Sequence, residues 1–296
     1  MIPMRRHQRF KARVKGLSIN RMIPNILTIL ALCAGMSAVR FAFMEQWHHA
    51  VVAIIVAGIF DGLDGRIARL IGGTSKFGAE LDSLSDFISF GVAPATVIYF
   101  WAMHGNLPIG WAAALFFATC AALRLARFNT MIGEPDPPPY KSNFFTGVPA
   151  PAGAGLAIIP LMGSFEFGPA FFGSAVLNAV WLITVGILMV STIPTYSMKK
   201  VKIPHKFVLP LLLVVGAITA GLVADPWPTL LTVGLVYLLS IPFSVRAHRQ
   251  LRGEWTQAMA ERAPPQPGDV TALGPALPGE PMSTGTTGTT TQGQHQ

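Results

Sequence analysis

The sequence predicts an all-α membrane protein, a polytopic bundle of about eight transmembrane helices. The chain has 296 residues, of which 51% are hydrophobic and 12% are charged. Soluble domains carry about 25% charged residues, so this chain has about half the usual share. The charged residues are also clustered. Phe171 to Ile193 contains none, and a run of that length can cross a hydrocarbon core of about 30 Å.

Eight apolar segments are candidate spans, and polar or Gly/Pro-containing connections separate them. They are roughly Ile26–Phe43, Ala50–Leu70, Asp86–Met103, Ile109–Phe128, Val148–Phe165, Phe171–Ile193, Phe207–Val223 and Pro228–Val245. The second and third carry acidic residues at their facing ends. The fifth is rich in Gly and Pro, which membrane helices tolerate where neighbouring groups satisfy the freed backbone.

Basic residues occur in alternate connections, and this pattern predicts the orientation. Met1 to Arg21 holds seven Lys or Arg residues. The other basic segments are Arg66–Lys76, Arg124–Lys141, Lys199–Lys206 and Arg246–Arg252. With eight spans, all of these lie on one side, and the positive-inside rule then places both termini in the cytoplasm.

Three regions follow from this pattern. Residues 1–22 form a basic N-terminal cytoplasmic segment, which serves either as a topology signal alone or also as a contact with anionic lipid. Residues 23–247 form the transmembrane domain, where we expect the active site. Residues 248–296 form a cytoplasmic tail. The tail is rich in Pro, Gly and Thr from about residue 263, so we expect disorder there.

An acidic cluster lies between the second and third spans. Residues 61 to 86 hold five of the chain's fourteen acids. Asp61 and Asp64 are three apart and share a helix face, and Asp82 and Asp86 are four apart and do the same. A short connection joins the two helices, so we expect all four carboxylates to converge at one membrane side.

Carboxylates in a membrane segment cost a few kcal/mol each even by lenient scales, so something must compensate them. Four carboxylates on two facing helices suit one or two hard divalent cations with oxygen ligands. Two such cations would serve a displacement at phosphorus. The alternative is that the acids are solvated at the interface or paired with Arg66 and Arg69.

The spacing of this stretch is specific. It reads Asp61-x2-Asp64-Gly65-x2-Ala68-Arg69-x8-Gly78-x3-Asp82-x3-Asp86. It resembles the signature of the CDP-alcohol phosphatidyltransferases at all eight positions. The resemblance implies a membrane enzyme that transfers a substituted phosphate group from a CDP-linked donor. It also implies two divalent cations, Mg²⁺ or Mn²⁺.

The resemblance also implies roles for individual residues. Asp61, Asp64 and Asp82 would be metal ligands, and Asp86 would be both a ligand and the general base. The residues implied to bind CDP-diacylglycerol are Asn25, Thr28, Gly65, Ala68, Arg69, Ser75 and Gly78. For Asn25 and Thr28, ordinary helix capping after Pro24 is an equally good explanation.

Two further stretches bear on the acceptor alcohol. LRLARFN contains Arg124 and Arg127, and FFTGVPAPAGA follows Lys141 and runs from Phe144 to Ala154. Together they resemble the phosphatidylserine synthase branch of the family, which implies L-serine as acceptor. The two arginines and Lys141 would bind the serine carboxylate or lipid phosphates. They could instead be positive-inside residues with no further role.

Two alternatives remain at this point. The acceptor could be glycerol phosphate, an inositol phosphate or choline. Intramembrane acids and Gly/Pro-interrupted spans also occur in cation-coupled transporters. We expect the partners to be the two substrates and the lipid bilayer, with no nucleic acid polymer. The resemblance implies a homodimer, and we expect a bacterial-type cytoplasmic (inner) membrane location with the active site facing the cytoplasm.

Overall fold

The computed structural model describes residues 22–71, 75–105, 108–130, 144–196 and 208–262. Its elements, in chain order, are α1 (Met22–Phe43), α2 (Trp47–Ile71), α3 (Lys76–Asp86), π1 (Phe87–Val92), α4 (Ala93–Ile98), π2 (Tyr99–Met103), α5 (Gly110–Thr130), β1 (Phe144–Thr146), α6 (Ala150–Ala157), α7 (Ile159–Phe167), α8 (Pro169–Phe172), α9 (Ala175–Val190), β2 (Pro194–Tyr196), α10 (Val208–Ala224) and α11 (Pro226–Arg262). The chain divides into two compact units, residues 1–253 and 254–296. The basic segment 1–21, Lys141 and the tail from residue 263 lie outside the described residues.

The protein is an integral membrane protein with several apolar helices. Five helical stretches of the described chain are long and apolar enough to cross a membrane, and two apolar helices are shorter. The five are Met22–Phe43, Lys76–Met103, Gly110–Thr130, Ala150–Phe167 and Pro226–Ala258, and the two are Ala175–Val190 and Val208–Ala224. The remaining long helix, α2, has 25 residues and ends in the acidic motif.

Small residues bring α1 close to α2 and to the helix that follows. Ala31, Ala38 and Ala42 are buried on one face of α1, and Ala50 and Ala57 are buried on α2. Small side chains let membrane helices approach closely. The packing of α1 against α2 positions the first acidic pair.

The third long helix is continuous but irregular. It begins at Ser75, whose hydroxyl accepts a hydrogen bond from the Gly78 amide at 3.0 Å. After Asp86 it changes to π-type hydrogen bonding, through Val92. Pro94 lies in the next turn and has no N–H to donate, which interrupts the regular pattern. Isolated π turns of this kind often occur at functional sites.

The fifth predicted span, Val148–Phe165, is broken in the structure. The helix stops at Ile158, which has φ −88° and ψ 1°, and restarts with Pro160 in its first turn. The sixth predicted span is also divided, into α8 and α9, and the Ser174 hydroxyl caps α9. Both breaks coincide with Pro or Gly, whose positions disrupt the helical backbone.

A short β-ribbon was not predicted. Phe144–Thr146 pairs antiparallel with Pro194–Tyr196. It ends at Gly147, which has φ +78° and where a Cβ would lie 2.5 Å from the Met189 carbonyl oxygen. This position therefore requires glycine. The Thr195 hydroxyl donates to the Gly147 carbonyl at 2.8 Å and fixes the turn.

Candidate active site

The first acidic pair lies near the end of α2, and its buried member is held by α1. Asp64 is 4% exposed and accepts a hydrogen bond from the Thr28 hydroxyl at 2.5 Å. Thr28 is itself buried, and its hydroxyl is 3.1 Å from the Pro24 carbonyl oxygen one turn earlier. A hydroxyl has one hydrogen, and the shorter contact to a carboxylate is the stronger hydrogen bond. Thr28 therefore orients Asp64.

The four aspartates converge, as their spacing predicts. One carboxylate oxygen from each of Asp61, Asp64 and Asp82 lies within 4.8 Å of the others. The carboxyl group of Asp86 contacts that of Asp61 across the two helices. The pairs come from α2 and α3, whose facing ends meet at the short connection.

This donor set fits a divalent cation. Oxygen ligands of Mg²⁺ or Ca²⁺ lie about 2.0–2.6 Å from the ion, so two of them are at most about 5 Å apart. The oxygens of Asp61, Asp64 and Asp82 satisfy that limit. An all-oxygen set of this kind also suits Mn²⁺. The cluster can therefore hold a metal ion.

Hydrogen bonds between helices keep the second acidic pair in register with the first. Ser85 directly precedes Asp86 in sequence, and its hydroxyl donates a hydrogen bond to the Thr28 carbonyl at 3.1 Å. Ser89 donates to the Ala31 carbonyl at 3.2 Å, one turn further along both helices. Both serines are buried. This pairing ties the start of the third helix to α1 and limits sliding between them.

A cavity adjoins the acids, and its wall contains all seven residues predicted to bind the donor substrate. The lining residues are Pro24, Asn25, Thr28, Asp64, Gly65, Ala68, Arg69, Ser75, Gly78, Ala79 and Asp82. They come from the starts of α1 and α3 and the end of α2. Two of the clustered acids thus form part of the cavity wall.

Glycine shapes this cavity at the start of α3. A Cβ on Gly78 would lie 2.9 Å from Asn25 Oδ1 and 3.1 Å from Ser75 Oγ. Gly78 therefore lets the amide of Asn25 reach the first turn of α3. Asn25 and Thr28 both line this cavity, and Thr28 also contacts Asp64. Arg69 is held by its Nε donating to the Gly65 carbonyl at 2.8 Å.

The structure separates the two arginines of the LRLARFN stretch. Arg127 Nη1 donates to the Val190 carbonyl at 3.2 Å, at the end of α9. Arg124 instead lies close enough to Asp86 and Tyr237 to act on both electrostatically. Lys141 lies outside the described residues, so its predicted role stays a prediction.

The same stretch supplies one contact that sequence reasoning did not assign. Asn129 Nδ2 donates to the Ser83 hydroxyl at 2.9 Å and connects the end of α5 to α3. Tyr237, which interacts electrostatically with Arg124, was not singled out either. A single Tyr in an apolar helix carries no spacing signal, because its partners are distant in sequence.

Comparison with known proteins shows which family the chain is similar to. The model of the CDP-alcohol phosphatidyltransferase family matches residues 21–188, and the model of CDP-alcohol phosphatidyltransferase 2 matches residues 206–242. Three curated relatives are each named CDP-diacylglycerol--serine O-phosphatidyltransferase. The one from Mycobacterium tuberculosis is 39% identical over 80% of this chain and 82% of its own length.

The other two relatives match a shorter part of this chain. The Helicobacter pylori protein (strain ATCC 700392 / 26695) is 38% identical over 61% of this chain and 74% of its own length. The Bacillus subtilis protein is 33% identical over 62% of this chain and 90% of its own length. The match of the family model to more than half of the chain confirms the resemblance inferred from the motif, and the chain belongs to the CDP-alcohol phosphatidyltransferase family.

Proposed function

We propose that the chain transfers a phosphatidyl group from CDP-diacylglycerol to the hydroxyl of L-serine, giving phosphatidylserine and CMP. The observation that carries this proposal is the convergence of four aspartates beside a cavity lined by the family's signature residues. The choice of serine is supported by the names of the relatives, which share 33–39% identity with this chain.

Asp61, Asp64 and Asp82 would hold divalent metal, with Asp86 as a further ligand. We expect two ions, Mg²⁺ or Mn²⁺. When bound, the cations would neutralise the pyrophosphate oxygens and stabilise the charge that develops on the CMP leaving group. Thr28 would fix the orientation of the Asp64 carboxylate toward them, in the way that outer hydrogen bonds orient metal ligands.

The cavity would bind the nucleotide end of CDP-diacylglycerol. Gly65 and Gly78 leave the backbone open to close approach, and Asn25 and Ser75 supply polar side chains there. Ala68 leaves room on the same face of α2. The guanidinium of Arg69, already anchored on the Gly65 carbonyl, would balance phosphate charge.

Asp86 would act as the general base. The serine oxygen forms a bond to the phosphorus that carries diacylglycerol, the bond from that phosphorus to CMP breaks, and the serine proton passes to an Asp86 carboxylate oxygen. A free Asp is a weak base, with a pKa of about 3.9. Positioning would therefore contribute much of the rate, and the hydrogen bond from Ser85 to α1 supports a fixed position for the neighbouring Asp86.

The finer topology is also a proposal. We propose eight spans with both termini in the cytoplasm, because the basic connections then lie together on one side. A phosphatase reporter that is active only in the periplasm should be inactive when it is fused after residue 262. Activity of that fusion would contradict the orientation.

We also propose a homodimer. Light scattering of the purified protein in detergent checks this proposal, and a monomer mass would contradict it.

The first experiment is CMP release by the purified protein in mixed micelles with CDP-diacylglycerol and Mn²⁺ or Mg²⁺. The acceptors are L-serine, glycerol 3-phosphate, inositol, inositol phosphate and choline. Release that depends on serine alone supports the proposal. Release with another alcohol would keep the metal site and reject serine. Absence of release with every acceptor, from folded protein, would reject the enzyme and favour the transporter alternative.

A further inference from the structure

The start of the third long helix is hydrogen-bonded to α5 as well as to α1. Asn129, in the last turn of α5, donates from Nδ2 to the Ser83 hydroxyl of α3 at 2.9 Å. The Ser83 hydroxyl donates in turn to the Ala79 carbonyl at 3.0 Å, one turn earlier in α3. A hydroxyl has one hydrogen and can also accept, so Ser83 uses its hydrogen within α3 and accepts from Asn129. Both Asn129 and Ser83 are half-buried.

This hydrogen bond lies at the flank of the acidic face of α3. With 3.6 residues in each turn, Asp82 and Asp86 point within about 40° of each other around the helix axis. On the same basis Ser83 lies about 60–100° to one side of them, and Ser85 lies about 60–100° to the other side. Ser85 donates to α1, and Ser83 accepts from α5. The two acids of α3 are therefore flanked by one interhelical hydrogen bond on each side.

The acidic cluster needs such support because its members repel one another. Oxygens of Asp61, Asp64 and Asp82 lie within 4.8 Å of one another, and carboxylates at this spacing repel unless a cation lies between them. Thr28 holds Asp64 from α1. Asp82 comes from α3, so its distance from the other two depends on where α3 lies. Contacts that fix α3 therefore determine whether the three oxygens can share an ion.

The last turn of α5 divides its polar contacts among different partners. Arg127 donates to the Val190 carbonyl at the end of α9, at 3.2 Å. The Thr130 hydroxyl donates to the Arg127 carbonyl of its own helix at 2.9 Å. Asn129 is the residue of this set that reaches α3. Polar side chains that hydrogen-bond across an interface hold membrane helices together, so this contact ties α3 to α5.

We propose that Asn129 is a positioning residue of the metal site. By holding Ser83, it fixes the start of α3 so that Asp82 stays at the distance from Asp61 and Asp64 that a shared cation requires. This inference rests on the metal site of the proposed function and not on the choice of serine as acceptor. Asn129 acts through Ser83, without touching the metal or the substrates.

The test measures Mn²⁺ binding to the purified full-length protein in detergent, without substrates, by electron paramagnetic resonance of the free ion. It compares wild type with Asn129→Leu, Ser83→Ala and the double variant. One neutral hydrogen bond corresponds to roughly a 2- to 12-fold change in an equilibrium, and we expect each single variant to raise the Mn²⁺ dissociation constant within that range. The double variant should show the rise of one single variant, because both changes remove the same hydrogen bond. Rises that multiply would overturn the proposal, since the two side chains would then act independently.

CMP release gives a second readout that separates positioning from substrate binding. At saturating Mn²⁺, Asn129→Leu should regain the wild-type kcat, and its KM for serine should equal that of wild type. A raised serine KM with unchanged Mn²⁺ affinity would overturn the proposal and place Asn129 on the acceptor instead.

Thr130→Val is the matched control, because the Thr130 hydroxyl is bonded within the last turn of α5. It should keep the wild-type Mn²⁺ dissociation constant. A rise in this control equal to that in Asn129→Leu would show that any change at the end of α5 weakens the site, and would reject the specific role of Asn129.

The outcomes separate the inference from the proposed function. If wild type binds no Mn²⁺, the metal site of the proposed function fails and the inference fails with it. If wild type binds Mn²⁺ and releases CMP with serine, but both single variants keep its Mn²⁺ affinity, the inference alone is wrong. If wild type binds Mn²⁺ but uses another acceptor, only the choice of serine fails, and the Mn²⁺ affinities still decide the inference. Should Asn129→Leu not fold, as judged by its thermal unfolding, Ser83→Ala decides the question.

Discussion

Replacing Thr28 by Val should weaken metal binding without removing a proposed ligand. The Thr28 hydroxyl donates to Asp64 at 2.5 Å, and valine has nearly the same shape but no hydrogen to donate. A hydrogen bond to a charged group is worth about 1.5–3 kcal/mol, or roughly a 10- to 150-fold change in an equilibrium. Loss of an outer hydrogen bond to a metal ligand typically costs about 10- to 100-fold in affinity or activity. The two figures agree, so we expect the Mn²⁺ dissociation constant to rise at least about tenfold.

The assay has two readouts. Direct Mn²⁺ binding, measured by electron paramagnetic resonance of the free ion, gives the affinity without turnover. CMP release at increasing Mn²⁺ then shows whether saturating metal restores the rate. Thr96→Val is the matched control, because the Thr96 hydroxyl donates at 2.8 Å to the Val92 carbonyl of its own helix. Unchanged Mn²⁺ affinity in folded Thr28→Val protein would refute the idea that this hydroxyl orients a metal ligand.

Three further predictions concern the same region. Asp86→Asn should lower kcat by about 10²- to 10⁴-fold while CDP-diacylglycerol still binds in a filter assay, and turnover within tenfold of wild type would reject Asp86 as base. Asp61→Ala should shift the Mn²⁺ activation curve to higher concentration, and an unshifted curve would reject it as a ligand. Gly35→Ala should destabilise the protein by about 1–3 kcal/mol, because its Cβ would lie 2.5 Å from Ser89 Oγ and 2.8 Å from Ser89 Cα. Its control is Gly216→Ala, where no described atom lies within 4 Å of the new Cβ, so equal unfolding temperatures in detergent would contradict the packing argument.

The acidic site could be predicted because its information is local. Asp61 and Asp64 share a helix face by spacing alone, as do Asp82 and Asp86, and a short connection forces the two helices to be neighbours. The structure brings all four carboxyl groups together. A motif on two consecutive helices needs no knowledge of the rest of the fold.

Features that depend on distant segments were not predictable in the same way. The β-ribbon pairs residues 144–146 with 194–196, and three-residue strands are too short to show a period of two. The two arginines of α5 look equivalent in sequence, since both are basic residues at the end of a span. Only the packing of α9 against α5 distinguishes them, because it gives Arg127 the Val190 carbonyl, while Arg124 Nε has no hydrogen-bond partner among the described residues.

The depth of the acids follows from the chemistry of the proposed donor. CDP-diacylglycerol is part lipid and part nucleotide, and the attacked phosphorus lies where the two parts join. The base and ligands that act on it must therefore lie near the place where apolar helix gives way to polar connection. The four aspartates lie within about two to three turns of the connection between α2 and α3. A transporter would be expected to place its acids near the bilayer midplane, where a bound ion is shielded from both sides. A carboxylate near a helix end also costs less free energy than a carboxylate at the midplane. The same position admits a water-soluble acceptor such as serine, while the acyl chains stay among the helices.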